Sequence, residues 1–218
     1  MSTERDFYER VYHFDDDVVH AGLQRLQRAL RQLGPMSKRS FLDLGSGVGW
    51  AAHHAVHDLR AEMAVAVDVA YRPLALGSEF APGPIRVQGN GMGLPFRSSS
   101  FDRVFSFGSV EHFPDVRKGL SEIARVLGAD GTAVIVVPNF YVRTEQPQEL
   151  TMTYLGWRRM IRSAGLEVVS TRADRGPKIF RDHRPMRIVF RAGGRILSFL
   201  PGLQYQFIFL LRKADSLE

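Results

Sequence analysis

The sequence predicts an α/β domain, built on one mostly parallel sheet of seven strands with helices on both faces. Three observations carry this. Short apolar runs alternate with longer stretches of helical periodicity, the order that buries a parallel sheet between two helical layers. The first apolar run opens directly into three closely spaced glycines, a junction where the chain must turn tightly from strand to helix. The length of 218 residues suits one such core and is too short for two full enzyme domains.

Val19, Leu23, Leu26, Leu30 and Leu33 recur at steps of four and three, so residues 15–33 read as an amphipathic helix. Asp15, Asp16 and Asp17 sit at its positive end, and Gly34 and Pro35 stop it. Strands follow at 40–44 (S-F-L-D-L), 63–68 (M-A-V-A-V-D), 84–88 (P-I-R-V-Q), 102–107 (D-R-V-F-S-F) and 132–137 (T-A-V-I-V-V). Helices are expected at 49–59, 72–79, 115–127 and 150–164, and two later strands at 166–172 and 204–212 complete the set. No repeat, low-complexity tract or linker interrupts the pattern. Residues 1–218 therefore read as one domain, with an amino-terminal helical segment (1–35), a core (40–170) and a basic insert (175–203) before the last strand.

With 44% hydrophobic and 24% charged residues, the composition is that of an ordinary globular protein. No apolar run approaches the ~20 residues needed to span a bilayer, and M-S-T-E-R-D-F-Y-E-R has no signal-peptide core, so a cytoplasmic location is expected. The absence of cysteine excludes disulfides, thiolate metal sites and a cysteine nucleophile. Residues 175–218 hold nine basic side chains against three acidic ones, a surplus equal to the whole net charge of +6. Any anionic partner belongs there.

Residues 41–50 read F-L-D-L-G-S-G-V-G-W, with Gly45, Gly47 and Gly49 in the turn. A dinucleotide fingerprint would place its third glycine where this chain has Trp50. The second strand ends in Asp68, 23 residues beyond Gly45, near the ~20-residue distance at which an acid meets the ribose of an adenosine-containing cofactor. Strand, glycine turn, helix, strand and acid together point to a nucleoside site. Their bland reading is a tight turn followed by an acidic loop residue.

From D-L-G-S-G-V-G (43–49), A-V-D-V-A (66–70), G-N-G-M-G-L-P-F-R-S-S-S-F-D-R-V-F-S-F-G-S-V-E-H-F (89–113) and E-I-A-R-V-L-G-A-D-G-T-A-V-I-V-V-P-N (122–139), the sequence resembles the class I S-adenosylmethionine-dependent methyltransferases. Within that class it is similar to the group of quinone and other small-molecule methyltransferases, over roughly residues 40–170. The resemblance implies the Rossmann-like methyltransferase fold with its last strand antiparallel, S-adenosylmethionine as cofactor, and a small-molecule or lipid-like methyl acceptor. It also implies that Asp43, Gly45, Ser46, Gly47 and Gly49 face the methionine part, that Asp68 takes the ribose, and that Asn90, Gly91 and Met92 meet the adenine. Val69 and Phe107 complete the implied cofactor set. The family usually carries aspartate where this chain has Asn90, whose amide still offers an acceptor to the adenine amino group.

Methyl transfer from a sulfonium depends mainly on alignment, and a general base helps only when the acceptor must lose a proton. His112 and Glu111, at the carboxyl end of the fourth strand, are the catalytic candidates; their alternative reading is a structural start to the following helix. His53 and His57 share one helical face at zinc-pair spacing, but neither a glutamate nor a third ligand accompanies them, so no metal is expected. Tyr8, Tyr12 and Phe14 either close over the cofactor or pack the amino-terminal segment, and Trp50 and Trp157 read as packing residues. Arg184, Arg187, Arg191 and Arg195 are spaced three, four and four and would form one basic stripe on a helix. Such a stripe would hold an acidic or lipid-linked acceptor, touch the inner membrane surface peripherally, or simply face solvent.

Two rival functions remain open at this level. An RNA or protein methyltransferase would draw on the basic segment, but S-F-G-S-V lacks the asparagine-proline-proline-aromatic signature of amino-directed nucleic-acid enzymes, so nucleic acid is not expected as a partner. A cofactor-binding protein without transfer activity would read Asn90 as a mark of decay.

Overall fold

In the computed structural model, which describes residues 16–140, 149–174 and 205–214, with 16–21 as backbone only, seven strands join one sheet in the order β3-β2-β1-β4-β5-β7-β6. The strands are β1 (Ser40–Leu44), β2 (Met63–Asp68), β3 (Ile85–Gln88), β4 (Phe101–Phe107), β5 (Leu127–Pro138), β6 (Leu166–Asp174) and β7 (Gln206–Lys213). Pairings among β1 to β5 are parallel, with Ser40 opposite Met63 and Phe41 opposite Arg103, while β7 runs antiparallel to both β5 and β6. The reversed last strand expected from the resemblance is therefore present.

Among the described residues, five helices cover the sheet: α1 (Asp16–Leu30, continued by a 3-10 turn at Arg31–Leu33), α2 (Trp50–His57), α3 (Tyr71–Phe80), α4 (Val116–Val126) and α5 (Tyr154–Ser163). Side chains alternate across the strands, so β1, β2, β4, β5 and β7 each feed two cores. Leu42, Val65, Val67, Val104, Ile135 and Phe209 meet Leu120 and Ile123 of α4 and Trp157 and Ile161 of α5 on one face. Phe41, Ala64, Ala66, Phe105 and Val136 meet Leu30 of α1, the alanines of α2 and Leu74 of α3 on the other. Both faces of the central strands are thus dry, which explains why they read as near-continuous apolar runs.

Trp157 is fully buried, and its indole Nε1 donates to the Pro138 carbonyl at 2.8 Å, so the packing role expected of it holds. Helix α1 is tied to the far edge of the sheet by Arg25, whose guanidinium donates to Asp174 at 2.5 and 2.8 Å and to Gln206 Oε1 at 2.6 Å. Most boundaries fall within two residues of expectation, but α5 begins at Tyr154, not at 150, and β5 begins at Leu127, not at 132. Phe101 pairs with Leu127 and the register then shifts before Arg103 meets Thr132, so the residues between are absorbed as an irregularity within the strand. Among the described residues, no helix is long and apolar enough to cross a membrane. The basic insert expected at 175–203, with Arg184, Arg187, Arg191 and Arg195, lies outside the described residues, as do Tyr8, Tyr12 and Phe14.

Asp43 on β1 is buried, and its Oδ2 accepts the Ala52 N–H of α2 at 3.1 Å. Burial pushes its carboxyl up to about 7, and the charge of Asp68 adds to this, against the opposing backbone hydrogen bond. Because the folded value lies above the unfolded one, this group's stabilising contribution is complete below the usual carboxylate range. It is lost as pH rises toward 7, at up to about 1.4 kcal/mol per pH unit. Thermal melts of the cofactor-free protein should therefore decline between about pH 4 and pH 7, and Asp43→Asn should flatten that decline. An identical slope in the variant would show that Asp43 is not protonated in the folded chain.

Candidate active site

The strand order reverses at β1: the chain fills β2 and β3 on one side, then returns to lay β4 and β5 on the other. Loops leaving β1 and β4 diverge at such a point, and a cleft opens at their carboxyl ends. Leu44 and Gly45 line it from β1, Val67, Asp68 and Val69 from β2, and Gly89 and Gly91 from the segment after β3. Phe107, Gly108, Ser109, His112 and Phe113 close it from the β4 side.

The glycine turn is fixed by two amides that converge on one acceptor. Gly45 N–H and Ser46 N–H both donate to the Val67 carbonyl, at 2.8 and 2.9 Å. Gly45 has φ +68° in the left-handed region, and a Cβ there would stand 1.7 Å from Ser109 Oγ, so glycine is required on two counts. Asp68 locks the next part of the loop: its Oδ2 accepts Gly47 N–H at 2.8 Å and its Oδ1 accepts Ala70 N–H at 2.9 Å. The carboxylate is therefore held by the backbone at the edge of the cleft.

Across the cleft, Asn90 is exposed and turns back on its own loop, its Oδ1 accepting Met92 N–H at 2.9 Å. Met92 in turn offers its Sδ to Asp115 N–H at 3.3 Å, at the start of α4. Gly91 is buried beneath the Phe113 ring, which a Cβ at 91 would meet at 2.4 Å. Of the cofactor residues expected from sequence, the structure brings Gly45, Asp68, Val69, Gly91 and Phe107 to the cleft wall. Ser46, Gly47, Gly49, Asn90 and Met92 instead shape its turns, and Asp43 lies buried behind the glycine loop.

Glu111 and His112 occupy a 3-10 turn (Val110–His112) after β4. His112 reaches the cleft, with 4% of its surface exposed, whereas Glu111 sits behind it at 1%. Burial, with the charge of neighbouring Glu149 adding to it, pushes the Glu111 carboxyl up to about 8 against backbone hydrogen bonds from the N–H groups of Glu111 and Ser109. Its Oε2 accepts no hydrogen bond among the described residues. Glu149 arrives because the next residue, Leu150, donates its N–H to the Glu111 carbonyl at 2.8 Å. No sequence signal linked Glu149 to the Glu-His pair, and Phe113 and Ser109 were equally unforeseen as cleft residues. His53 and His57, by contrast, are engaged with a carbonyl: both rings approach the Pro82 oxygen, at 2.7 and 3.1 Å.

Residues 42–135 match the family of methyltransferase domains. The Bacillus subtilis methyltransferase YcgJ is 30% identical over 141 residues, covering 62% of this chain and 55% of YcgJ. Its crystal structure has a TM-score of 0.63 at 19% identity, over 88% of this chain and 99% of that one. The demethylmenaquinone methyltransferase of Beutenbergia cavernae is 34% identical over 133 residues, covering 60% and 54% of the two chains. Phosphoethanolamine N-methyltransferase 2 of Haemonchus contortus, solved in complex with S-adenosyl-L-methionine, has a TM-score of 0.69 at 17% identity, covering 99% of this chain and 61% of its own. This chain spans about half the length of the two curated relatives. Since the matched residues hold the glycine turn, Asp68 and the Glu-His turn, the chain carries a methyltransferase domain of the class I S-adenosylmethionine-dependent fold.

Proposed function

We propose that this chain transfers the methyl group of S-adenosylmethionine to a small, lipid-like acceptor of the quinone type. The observation that carries the reading is the placement of Asp68. It stands on the edge of the switch-point cleft, tethered to Gly47 and Ala70. A carboxylate held there takes the ribose hydroxyls of the cofactor in charge-assisted bonds. Val69, more than a third exposed on the same wall, gives a nucleobase an apolar surface. Gly45, Ser46, Gly47 and Gly49 with Asp43 serve the methionine end, and Asn90, Gly91 and Met92 the adenine. Phe107 and His112 are left to face the reacting methyl and the acceptor.

Transfer itself is an in-line displacement at a carbon already activated by its sulfonium, so holding the two partners in line supplies up to ~7–11 kcal/mol of the barrier reduction. A cleft built of fixed backbone and aromatic walls suits that task. The acceptor class draws support from the demethylmenaquinone methyltransferase similarity and from the arginines at 184, 187, 191 and 195, which would hold an anionic or lipid-linked molecule.

Asp68→Ala should cost about 2–4 kcal/mol of S-adenosylmethionine affinity by calorimetry, with Asp68→Asn falling between it and the native protein. Unchanged affinity in a folded Ala variant would remove Asp68 from the site. Gly45→Ala should weaken cofactor binding because the new Cβ strikes Ser109 Oγ. Adding Ser109→Gly should restore part of the loss, the positive φ at 45 still costing about 1–2 kcal/mol. With methyl-labelled cofactor, label should pass to a hydroquinone lacking its ring methyl and extract into organic solvent. Label recovered in RNA or protein instead would overturn the acceptor class.

A further inference from the structure

We propose that Glu111, His112 and Glu149 form a binding site for a divalent transition-metal cation in the wall of the methyl-transfer cleft. Carboxylate oxygens of the two glutamates and an imidazole nitrogen of His112 lie within 4.8 Å of one another. Around an ion held at about 2.0–2.2 Å, such atoms stand roughly 3–4 Å apart, so a contraction of about an ångström completes the shell. Side-chain torsions supply it, since Glu149 is only half-buried.

A second observation points the same way. Glu111 is 1% exposed, yet its Oε2 has no hydrogen-bond donor among the described residues. A buried acceptor in that state is unfavourable, and a carboxylate beside a second carboxylate is more so, unless a cation or a proton stands between them. The donor set is two carboxylates and one imidazole in a chain without cysteine, which suits zinc, manganese or cobalt and excludes ions that need thiolate. His112 is the member that reaches the cleft, so an ion here would turn its open positions toward the acceptor.

The chemical role rests on the methyl-transfer reading. The cation would bind an acceptor hydroxyl and favour its ionisation, one proton passing to solvent. The electron pair at the acceptor's ring carbon then forms the bond to the methyl carbon, while the carbon–sulfur bond breaks and its pair stays on sulfur; the proton displaced from that ring carbon returns to the ionised oxygen and restores the aromatic ring. A ligated imidazole does not also take a proton, so this arrangement gives His112 the part of a ligand in place of that of a general base.

Co²⁺ titrated into the metal-stripped full chain is the test, followed by calorimetry and by its visible absorption. One Co²⁺ should bind per chain and be displaced by Zn²⁺. Glu149→Gln and Glu111→Gln, each checked for folding by circular dichroism, should weaken binding by at least about tenfold. His112→Asn should change the Co²⁺ spectrum, and His53→Gln should leave it unaltered. Absence of stoichiometric binding would overturn the proposal, as would binding indifferent to both glutamate variants; a shared proton would then be what joins the two carboxyls. S-adenosylmethionine calorimetry on the same samples separates the two readings. Cofactor binding without Co²⁺ binding refutes only the cation site, and Co²⁺ binding without cofactor binding refutes only methyl transfer.

Discussion

Two backbone N–H groups, those of Gly45 and Ser46, converge on the Val67 carbonyl, and the geometry of the cleft depends on that junction. It joins the end of β1 to the end of its parallel neighbour β2 at the point where the strand order reverses. Once it is made, the chain must leave β1 in the left-handed region, which the glycines at 45, 47 and 49 allow. Asp68, one residue beyond Val67, then meets the amide of Gly47 and fixes the loop from the other side. The nucleoside-type edge of the site is thus a consequence of strand pairing.

The two core layers position this junction differently. On the α2 face, Ala64 and Ala66 of β2 oppose Ala51, Ala52 and Ala55, small residues that let the helix lie close to the sheet and bring its first turn under the glycine loop. A Cβ at Gly49 would stand 3.3 Å from that of Ala66, so the approach is already near its limit. On the other face, Leu120, Ile123, Trp157 and Phe209 fill a thicker layer that holds β5 and β7 in register. Helix α1 adds a contact from outside: the Arg25 guanidinium, anchored on Asp174, lies 5.4 Å from the ring centre of Phe107, a cleft residue.

What the sequence discloses and what it conceals divides along range in the chain. Periodicity located all seven strands, because the inner ones are apolar on both faces and the edge ones are short apolar runs between turns, and the interval from Gly45 to Asp68 is set by one helix and two turns, a local length. The start of β5 was misplaced because D-G in A-D-G-T reads as punctuation, whereas Phe101 of β4 draws Leu127 into the ladder before it. Phe113 became a cleft residue only because Gly91 and Gly119, far apart in sequence, both leave room for its ring. His53 and His57 had metal-pair spacing, yet the carbonyl of Pro82, which no helical pattern predicts, occupies both. Glu149 joins Glu111 through a single backbone bond from Leu150, a contact without any sequence signature.

Two buried carboxyls flank the cleft, and their surroundings show how burial alone fails to define a role. Asp43 lies at the first turn of α2, where the amide of Ala52 and the positive end of the helix compensate its charge. Its raised value near 7 is the residue of that contest, with desolvation ahead of the hydrogen bond. Glu111 also accepts backbone N–H bonds, from its own residue and from Ser109, but desolvation and the charge of Glu149 together outweigh them. A carboxyl that serves only to join a strand to a helix needs donors, and Asp43 has them. Glu111 has them only in part: backbone N–H groups of its own turn reach the carboxyl, but its Oε2 has no donor among the described residues.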